Sequence, residues 1–249
     1  MPPRVINPLL EDLPNLRQPL TEGENVVLNY FIEHLPSEWE IYIQPHLNGL
    51  RPDFVLLHPK RGIAVYEVKD WDLSAMEYFI KIRGDGAPIL MGSRDGKQFS
   101  LEKQNPVTKI DVYKEDIYNL YCPRLQTNTG LGAIIAGIIF TFALTEHVSE
   151  LLAPLRKHYG HDQYPRLYPI IGRDILKSQK SWTLERSVLS CANKIDDRMS
   201  EERAADLRNW LVEPEFARDQ RTPLIDLLTP KQRDVVPVSY THLCCTKQG

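Results

Sequence analysis

The sequence predicts an α/β fold built on a mixed sheet, and three observations carry that prediction. Apolar residues recur at helical spacing after Thr21, three short runs between 39 and 69 have strand character, and a long apolar stretch lies at 131–144. The resulting order of helix, strand meander, helix, strand, helix and strand is that of helices packed on a central sheet.

Residues 1–20 hold prolines at 2, 3, 8, 14 and 19 and read as an irregular leader, since proline leaves no room there for an ordinary helix. Thr21 with Glu24 three residues on is a capping-box pattern. Val27, Leu28, Phe31, Ile32 and Leu35 follow at helical spacing, so a helix is placed over 22–35, ended by Pro36. Residues 39–43 alternate as a strand, 50–58 form a second, and after a turn at 59–62 residues 63–69 form a third. Residues 70–104, with glycines at 84, 86, 92 and 96, read as loops with short strands, among them a small hairpin over 83–101. Pro106 opens a second helix through Ile110, Tyr113 and Ile117 to Tyr121, stopping before Pro123. Residues 133–142 supply the central strand, with a helix over 148–158 behind it and a further strand over 166–171. Helices over 183–192 and 199–211 complete the pattern, the last with Glu201 and Glu202 at its favourable N-terminal end.

With 249 residues, 42% hydrophobic and 25% charged, the chain can bury a sizeable core, which argues against an intrinsically disordered protein. Lys+Arg 30 against Asp+Glu 33 gives −3, which argues against a bulk-basic nucleic-acid coat and leaves room for a local basic groove. Cys122, Cys191, Cys244 and Cys245 show no CxxC spacing and no disulfide density, so a reducing, cytoplasmic setting is expected. The N-terminus lacks the apolar stretch of a signal peptide. At 14 residues, 131–144 falls short of a membrane span, and no membrane association is expected.

The chemistry-bearing pattern is Arg51-Pro52-Asp53, then thirteen residues, then Glu67-Val68-Lys69. Side chains alternate along a strand, so Glu67 and Lys69 share a face while Val68 enters the opposite layer. The preceding strand can bring Asp53 beside them. Two converging carboxylates suit a hard divalent cation, usually Mg²⁺ where phosphate is the substrate, and Lys69 can orient or polarise a water. Phe54–Leu57 and Ile63–Tyr66 are nearly continuous hydrophobes, as expected of a sheet covered on both faces. Spacing alone is a weak signal that recurs by chance, and it also allows an Asp53–Lys69 structural ion pair with Glu67 in solvent.

Further ordered features accompany that pattern: Gly23-Glu24 opening the first helix, Pro52-Asp53-Phe54-Val55-Leu56-Leu57, Gly62-Ile63 leaving the turn, Glu67-Val68-Lys69 followed by Trp71, and Asn105-Pro106 before the second helix. With these, residues 21–145 resemble the nuclease-related domain, a branch of the PD-(D/E)xK restriction-endonuclease-like superfamily. The resemblance implies a three-layer core with C-terminal helices and metal-dependent hydrolysis of DNA, with Mg²⁺ or Mn²⁺ as cofactor. It implies Asp53 and Glu67 as metal ligands, Lys69 as the catalytic lysine, and Glu24 as the helical acidic residue that supports them. One position departs: the family commonly carries Gln three residues after the proline of the second helix, and here it is Lys109.

Residues 206–236 resemble the linker from such a domain into a superfamily 1 helicase, and Leu228-Thr229-Pro230-Lys231-Gln232 resembles an adenine-reading Q motif. No GxxxxGK[ST] loop follows, so neither ATPase nor helicase activity is expected of this chain, and a helicase domain is the expected partner in a longer one. The expected organisation is a leader at 1–20, the nuclease-related domain at 21–145, an α/β extension completing or flanking it at 146–212, and a linker at 213–249. Residues 237–243 resemble translated sequencing-adapter readthrough, which would make the chain a 5′ fragment of a larger gene and residues from about 237 onward foreign to it. The rival expectation is a DNA-binding or targeting module that does not cut.

Lys81, Arg83, Arg94, Lys97, Lys103, Lys109 and Lys114 are candidates to line a DNA groove, although interspersed acids also describe a plain solvated surface. Lys103, Lys109 and Trp71 are the named DNA-contact candidates; Trp71, Tyr78 and Phe79 can wall a cleft, stack a base or pack a core. His58 is expected to be a strand-end histidine, and Cys122 a small buried hydrophobe.

Overall fold

Six strands hydrogen-bond into one mixed sheet in the order β1 (Ile6–Asn7), β2 (Glu40–Ile43), β3 (Phe54–His58), β4 (Gly62–Lys69), β8 (Ile134–Phe140) and β9 (Ile170–Ile171). The pairs β2–β3 and β3–β4 are antiparallel, and β1–β2, β4–β8 and β8–β9 are parallel. The computed structural model describes residues 4–16, 18–45, 47, 50–126, 130–178 and 199–212. The helix expected over 183–192 and the linker over 213–249 lie outside these residues.

Alternation along the strands divides the core in two. Phe54, Leu56, Ala64, Tyr66, Ile135 and Ile139 meet α1 (Glu22–His34) through Val27, Leu28 and Phe31. On the other face Val55, Leu57, Val65, Ile134, Ala136 and Ile138 meet α2 (Pro106–Asp116), α3 (Thr145–His158) and α5 (Glu201–Leu211). Helix, sheet and helix thus form the three layers that the sequence predicts. Phe31 is fully buried, its ring 5.5 Å from that of Phe54 and 5.9 Å from that of Tyr66. Truncating such a side chain to Ala costs about 3–5 kcal/mol.

The expected capping box starts α1: Glu24 N donates to Thr21 Oγ1 at 3.1 Å and Thr21 N to Glu24 Oε2 at 2.7 Å. The helix stops where Leu35 turns extended before Pro36. In α2, Asn105 caps Val107 N at 3.0 Å ahead of Pro106, and the helix passes into a π-helical turn over Ile117–Tyr121 before Pro123. Gly62 has φ +147°, and a Cβ there would lie 2.5 Å from the Ala133 carbonyl oxygen, so the tight approach of β4 to the start of β8 requires glycine.

Several elements differ from expectation. The leader contributes β1 and a 3₁₀ turn at Leu10–Asn15, and Arg4 binds the carbonyls at the end of α1, donating to Ile32 O at 2.8 Å. The second strand begins at Phe54; Leu50 makes only a bridge to Leu47. Residues 70–104 form a second antiparallel sheet of β5 (Glu77–Ile82), β6 (Pro88–Arg94) and β7 (Lys97–Ser100), more regular than a set of loops. The β6–β7 hairpin turns through Asp95 and Gly96, both with positive φ, as two-residue hairpin loops demand. The strand over 166–171 shrinks to two residues, although Leu167 and Pro169 still offer their carbonyls to Ala136 N and Ile138 N at 2.9 and 3.0 Å. Helix α3 starts three residues early because Asp174, on the short α4 (Arg173–Leu176), accepts from Thr145 N at 2.8 Å.

Helix α5 is tied to the sheet by an ion pair that is buried on the Glu40 side and partly exposed on the Arg208 side. Arg208 Nη2 donates to Glu40 Oε1 at 2.6 Å and its Nε lies 3.0 Å from Oε2, while Tyr42 OH donates to the same carboxylate at 2.7 Å. Glu40 is 6% exposed.

Candidate active site

Antiparallel register places position 53 opposite position 67, one step beyond the Phe54–Tyr66 pair. Both side chains therefore leave the sheet on the face that carries α2, beside Lys69. An open cleft of roughly 690 Å³ lies there, walled by the start of α1, the ends of β3 and β4, Trp71 and α2.

Glu67 is the centre of the arrangement and is 1% exposed. Lys69 Nζ and Lys109 Nζ both donate to its Oε1, at 2.6 and 2.7 Å, and Tyr113 OH donates to Oε2 at 2.9 Å. Burial pushes this carboxyl up, but the two ammonium groups and their hydrogen bonds outweigh burial and hold it below its usual value. Lys69 thus pairs with Glu67 and not with Asp53, and Glu67 does not face solvent. The Tyr113 phenol is raised by burial and by the facing carboxylate.

Asp53 is in the opposite situation. Its Oδ2 accepts from Val68 N at 2.6 Å, and it has no ion pair among the described residues. Burial, then the Glu67 carboxylate, then Glu24 push its carboxyl up to about 8 against that one hydrogen bond. Glu24 lines the cleft next to Asp53 while capping α1 through Thr21. Neighbouring carboxylates in a partly desolvated place favour a bound cation.

Among the described residues no three His, Cys, Asp or Glu side chains form a ready-made metal cage. Asp53 and Glu67 are the oxygen donors that a hard divalent ion would meet in this cleft: Asp53 carries uncompensated charge when ionised, whereas both oxygens of Glu67 are already held by Lys69, Lys109 and Tyr113.

Asp70, just past β4, fixes the floor. It accepts from Thr141 Oγ1 at 2.6 Å and from Gly23 N at 3.3 Å, joining the start of α1 to the ends of β4 and β8. A Cβ on Gly23 would fall 1.6 Å from Asp70 Oδ1, so glycine there lets Asp70 bridge the helix to the sheet as it does.

Of the DNA-contact candidates, Lys109 and Trp71 line the cleft and Lys103 is exposed on a 3₁₀ turn outside it. Lys114 is not a groove residue: it is 2% exposed, donates to Ile134 O at 2.6 Å and lies 4.6 Å above the Tyr168 ring. Arg83 is engaged by Glu102, while Lys81, Arg94 and Lys97 are exposed on the small sheet. His58 sits at the far end of β3, where its Nδ1 accepts from Lys60 N at 3.1 Å, and Cys122 is fully buried, both as expected. The contacts of Tyr113 and Lys109 with Glu67 were not visible in the sequence. The only signal for them was their i, i+4 spacing on one helix face.

A three-layer α/β/α core with an acidic pair and a lysine at the ends of two adjacent strands defines the class of PD-(D/E)xK-like nuclease folds. Residues 20–141 match the family model described as nuclease-related domain, and that stretch of the chain belongs to this family, with its restriction-endonuclease-like architecture and nuclease-related function. No curated protein and no solved structure matches the chain. No helix among the described residues is long and apolar enough to cross a membrane.

Proposed function

We propose that this domain hydrolyses DNA phosphodiester bonds in a metal-dependent reaction, with Asp53, Glu67 and Lys69 as the catalytic residues. The observation that carries this reading is the meeting of Asp53, Glu67, Lys69 and Lys109 in one open cleft. Asp53 and Glu67 hold Mg²⁺, for which Mn²⁺ can substitute, and Glu24 supports them. The ion, when bound, supplies Lewis acidity to the scissile phosphoryl group. Lys69, anchored on Glu67, orients the attacking water and offsets charge growing on the phosphate oxygens. Lys109, partly exposed and paired with Glu67, adds positive charge where a phosphate would enter, and Tyr113 keeps the Glu67 carboxylate in place. Trp71 and Lys103 add contacts to the strand on either side.

Cleavage of labelled DNA with Mg²⁺, Mn²⁺ or EDTA, comparing the chain with its Glu67→Gln form, tests this. Metal-dependent cutting that the substitution abolishes supports the reading, and cutting retained by a folded Glu67→Gln protein sinks it.

One observation favours a second reading, a DNA-binding or targeting module that does not cut. Two lysines already neutralise Glu67, which weakens its hold on a cation. DNA binding that falls with salt but ignores divalent metal would favour that module. In either reading we take residues 21–145 as the nuclease-related domain, 146–212 as its α/β extension and 213–249 as a linker toward a helicase domain, working on DNA in the cytoplasm.

A further inference from the structure

The cleft has a wall that phosphodiester chemistry does not use. Trp71 follows the Lys69 strand by two residues and lines the cleft. Tyr78 stacks on its indole with ring centroids 4.7 Å apart at 18°, and the Phe140 ring makes a T-shaped contact with it at 5.7 Å. A ring braced by two aromatic neighbours keeps its orientation, so the part of it that lines the cleft is pre-set rather than mobile. Leu50 and Val112, the latter 42% exposed, add apolar surface to the same cleft, while Arg51 and Lys109 add positive charge.

We propose that the Trp71–Tyr78 stack is a base platform and that the cleft takes DNA as an unpaired strand. The proposal rests on the reading of the cleft as a DNA site and adds the form in which DNA enters it. Within a duplex every base face is covered by its neighbours and only edges show in the grooves. An aromatic wall beside the phosphate-handling groups then gains nothing. An unpaired strand presents base faces to Trp71, Leu50 and Val112 while Arg51 and Lys109 meet its phosphates. Stacking of this kind is sequence-tolerant, because every base has a π-face.

The test is binding without metal, read by fluorescence anisotropy in EDTA so that nothing is cut. The probes are a short labelled oligo(dT), an abasic strand of the same length and the corresponding duplex, offered to the wild-type chain, Trp71→Leu and Trp71→Phe. Oligo(dT) should bind more tightly than the duplex and about tenfold more tightly than the abasic strand. Trp71→Leu should weaken oligo(dT) binding by a similar factor and leave the abasic strand unaffected, and Trp71→Phe should restore most of the loss. That indifference of the abasic strand separates lost stacking from a damaged fold. No oligo(dT) binding, equal binding of the abasic strand, or a duplex bound as tightly as oligo(dT) overturns the proposal.

Cleavage of the same strand in Mg²⁺ separates the two ideas. Base-dependent binding through Trp71 without cutting upholds the platform and removes the nuclease reading. Metal-dependent cutting that ignores both Trp71 and base removal overturns the platform and leaves the nuclease reading standing.

Discussion

Lys109 Nζ on α2 lies 2.7 Å from Oε1 of Glu67 on β4, the same oxygen that Lys69 holds at 2.6 Å. One carboxylate oxygen is thereby shared by a lysine of its own strand and a lysine from the helix that packs across it. The two are not equivalent, since the Lys69 side chain is 14% exposed and that of Lys109 39%. The more exposed Lys109 side chain is the one that solvent and any ligand in the cleft would meet first.

Replacing Lys109 by Gln should accordingly weaken DNA binding uniformly across sequences and reduce the salt slope of log Kd by about 1. Lys69→Gln should instead lower the cleavage rate by about a hundredfold or more, a loss on the scale of a removed transition-state donor, with a smaller effect on Kd. Binding and cleavage measured for both variants over a range of KCl check the split.

The Asp53 carboxyl gives a pH prediction whose sign follows from its shift to about 8 against an ordinary 3.8. Below about pH 4 folded and unfolded chains both carry the proton. Between about 4 and 8 only the folded chain keeps it, so folding takes up a proton and stability falls as pH rises; above about 8 the penalty is complete. Urea midpoints in EDTA should decline across this window for the wild-type chain relative to Asp53→Asn. Added Mg²⁺ should stabilise the wild type more at the alkaline end, where it meets an ionised carboxylate.

Arg208→Ala should destabilise the chain by about 3 kcal/mol, because it leaves the buried Glu40 carboxylate with Tyr42 as its remaining donor. Urea denaturation of the variant beside the wild type measures this. A loss below about 1 kcal/mol would show that α5 is not part of the stable core.

Gly23→Ala should cost about 1–3 kcal/mol, the scale of overpacking, since the methyl group would overlap Asp70. Either the Asp70 carboxylate or the start of α1 must then shift, and the Gly23–Asp70–Thr141 tie is lost or strained. Thermal melts should show the loss, and shortening the side chain that blocks it, in Gly23→Ala/Asp70→Gly, should recover part of it.

Local pattern was enough for much of this. The capping box of α1, the strand alternation that puts Glu67 and Lys69 on one face, and the antiparallel register that sets Asp53 opposite Glu67 depend on neighbours in sequence or on a tight turn, and all three were legible. What was not legible depends on where α2 crosses the sheet. Lys114 reads as a surface cation in sequence and becomes a buried donor to Ile134 O only because that face of α2 lies against β8. Lys109 and Tyr113 reach Glu67 for the same reason. Residues 70–104 read mainly as loops because glycines at 84, 86, 92 and 96 interrupt them, and the short segments between became strands once three of them paired.

The parallel pairing of β4 with β8 joins Lys69 to Phe140 across the sheet. Everything between them, including the small sheet and α2, is one excursion of chain that must return before that pairing can close. Closing a long loop is an entropic cost met ahead of the contacts that repay it, and such non-local pairing slows folding. Asp53, Glu67 and Lys69 are present early in the chain, but Lys109, Tyr113 and the Thr141 anchor of Asp70 come only with the return strand and the helix it supports. A nascent chain that has made only the 54–69 hairpin thus has its acidic pair without its cleft. The cleft is assembled only when the return strand is in place.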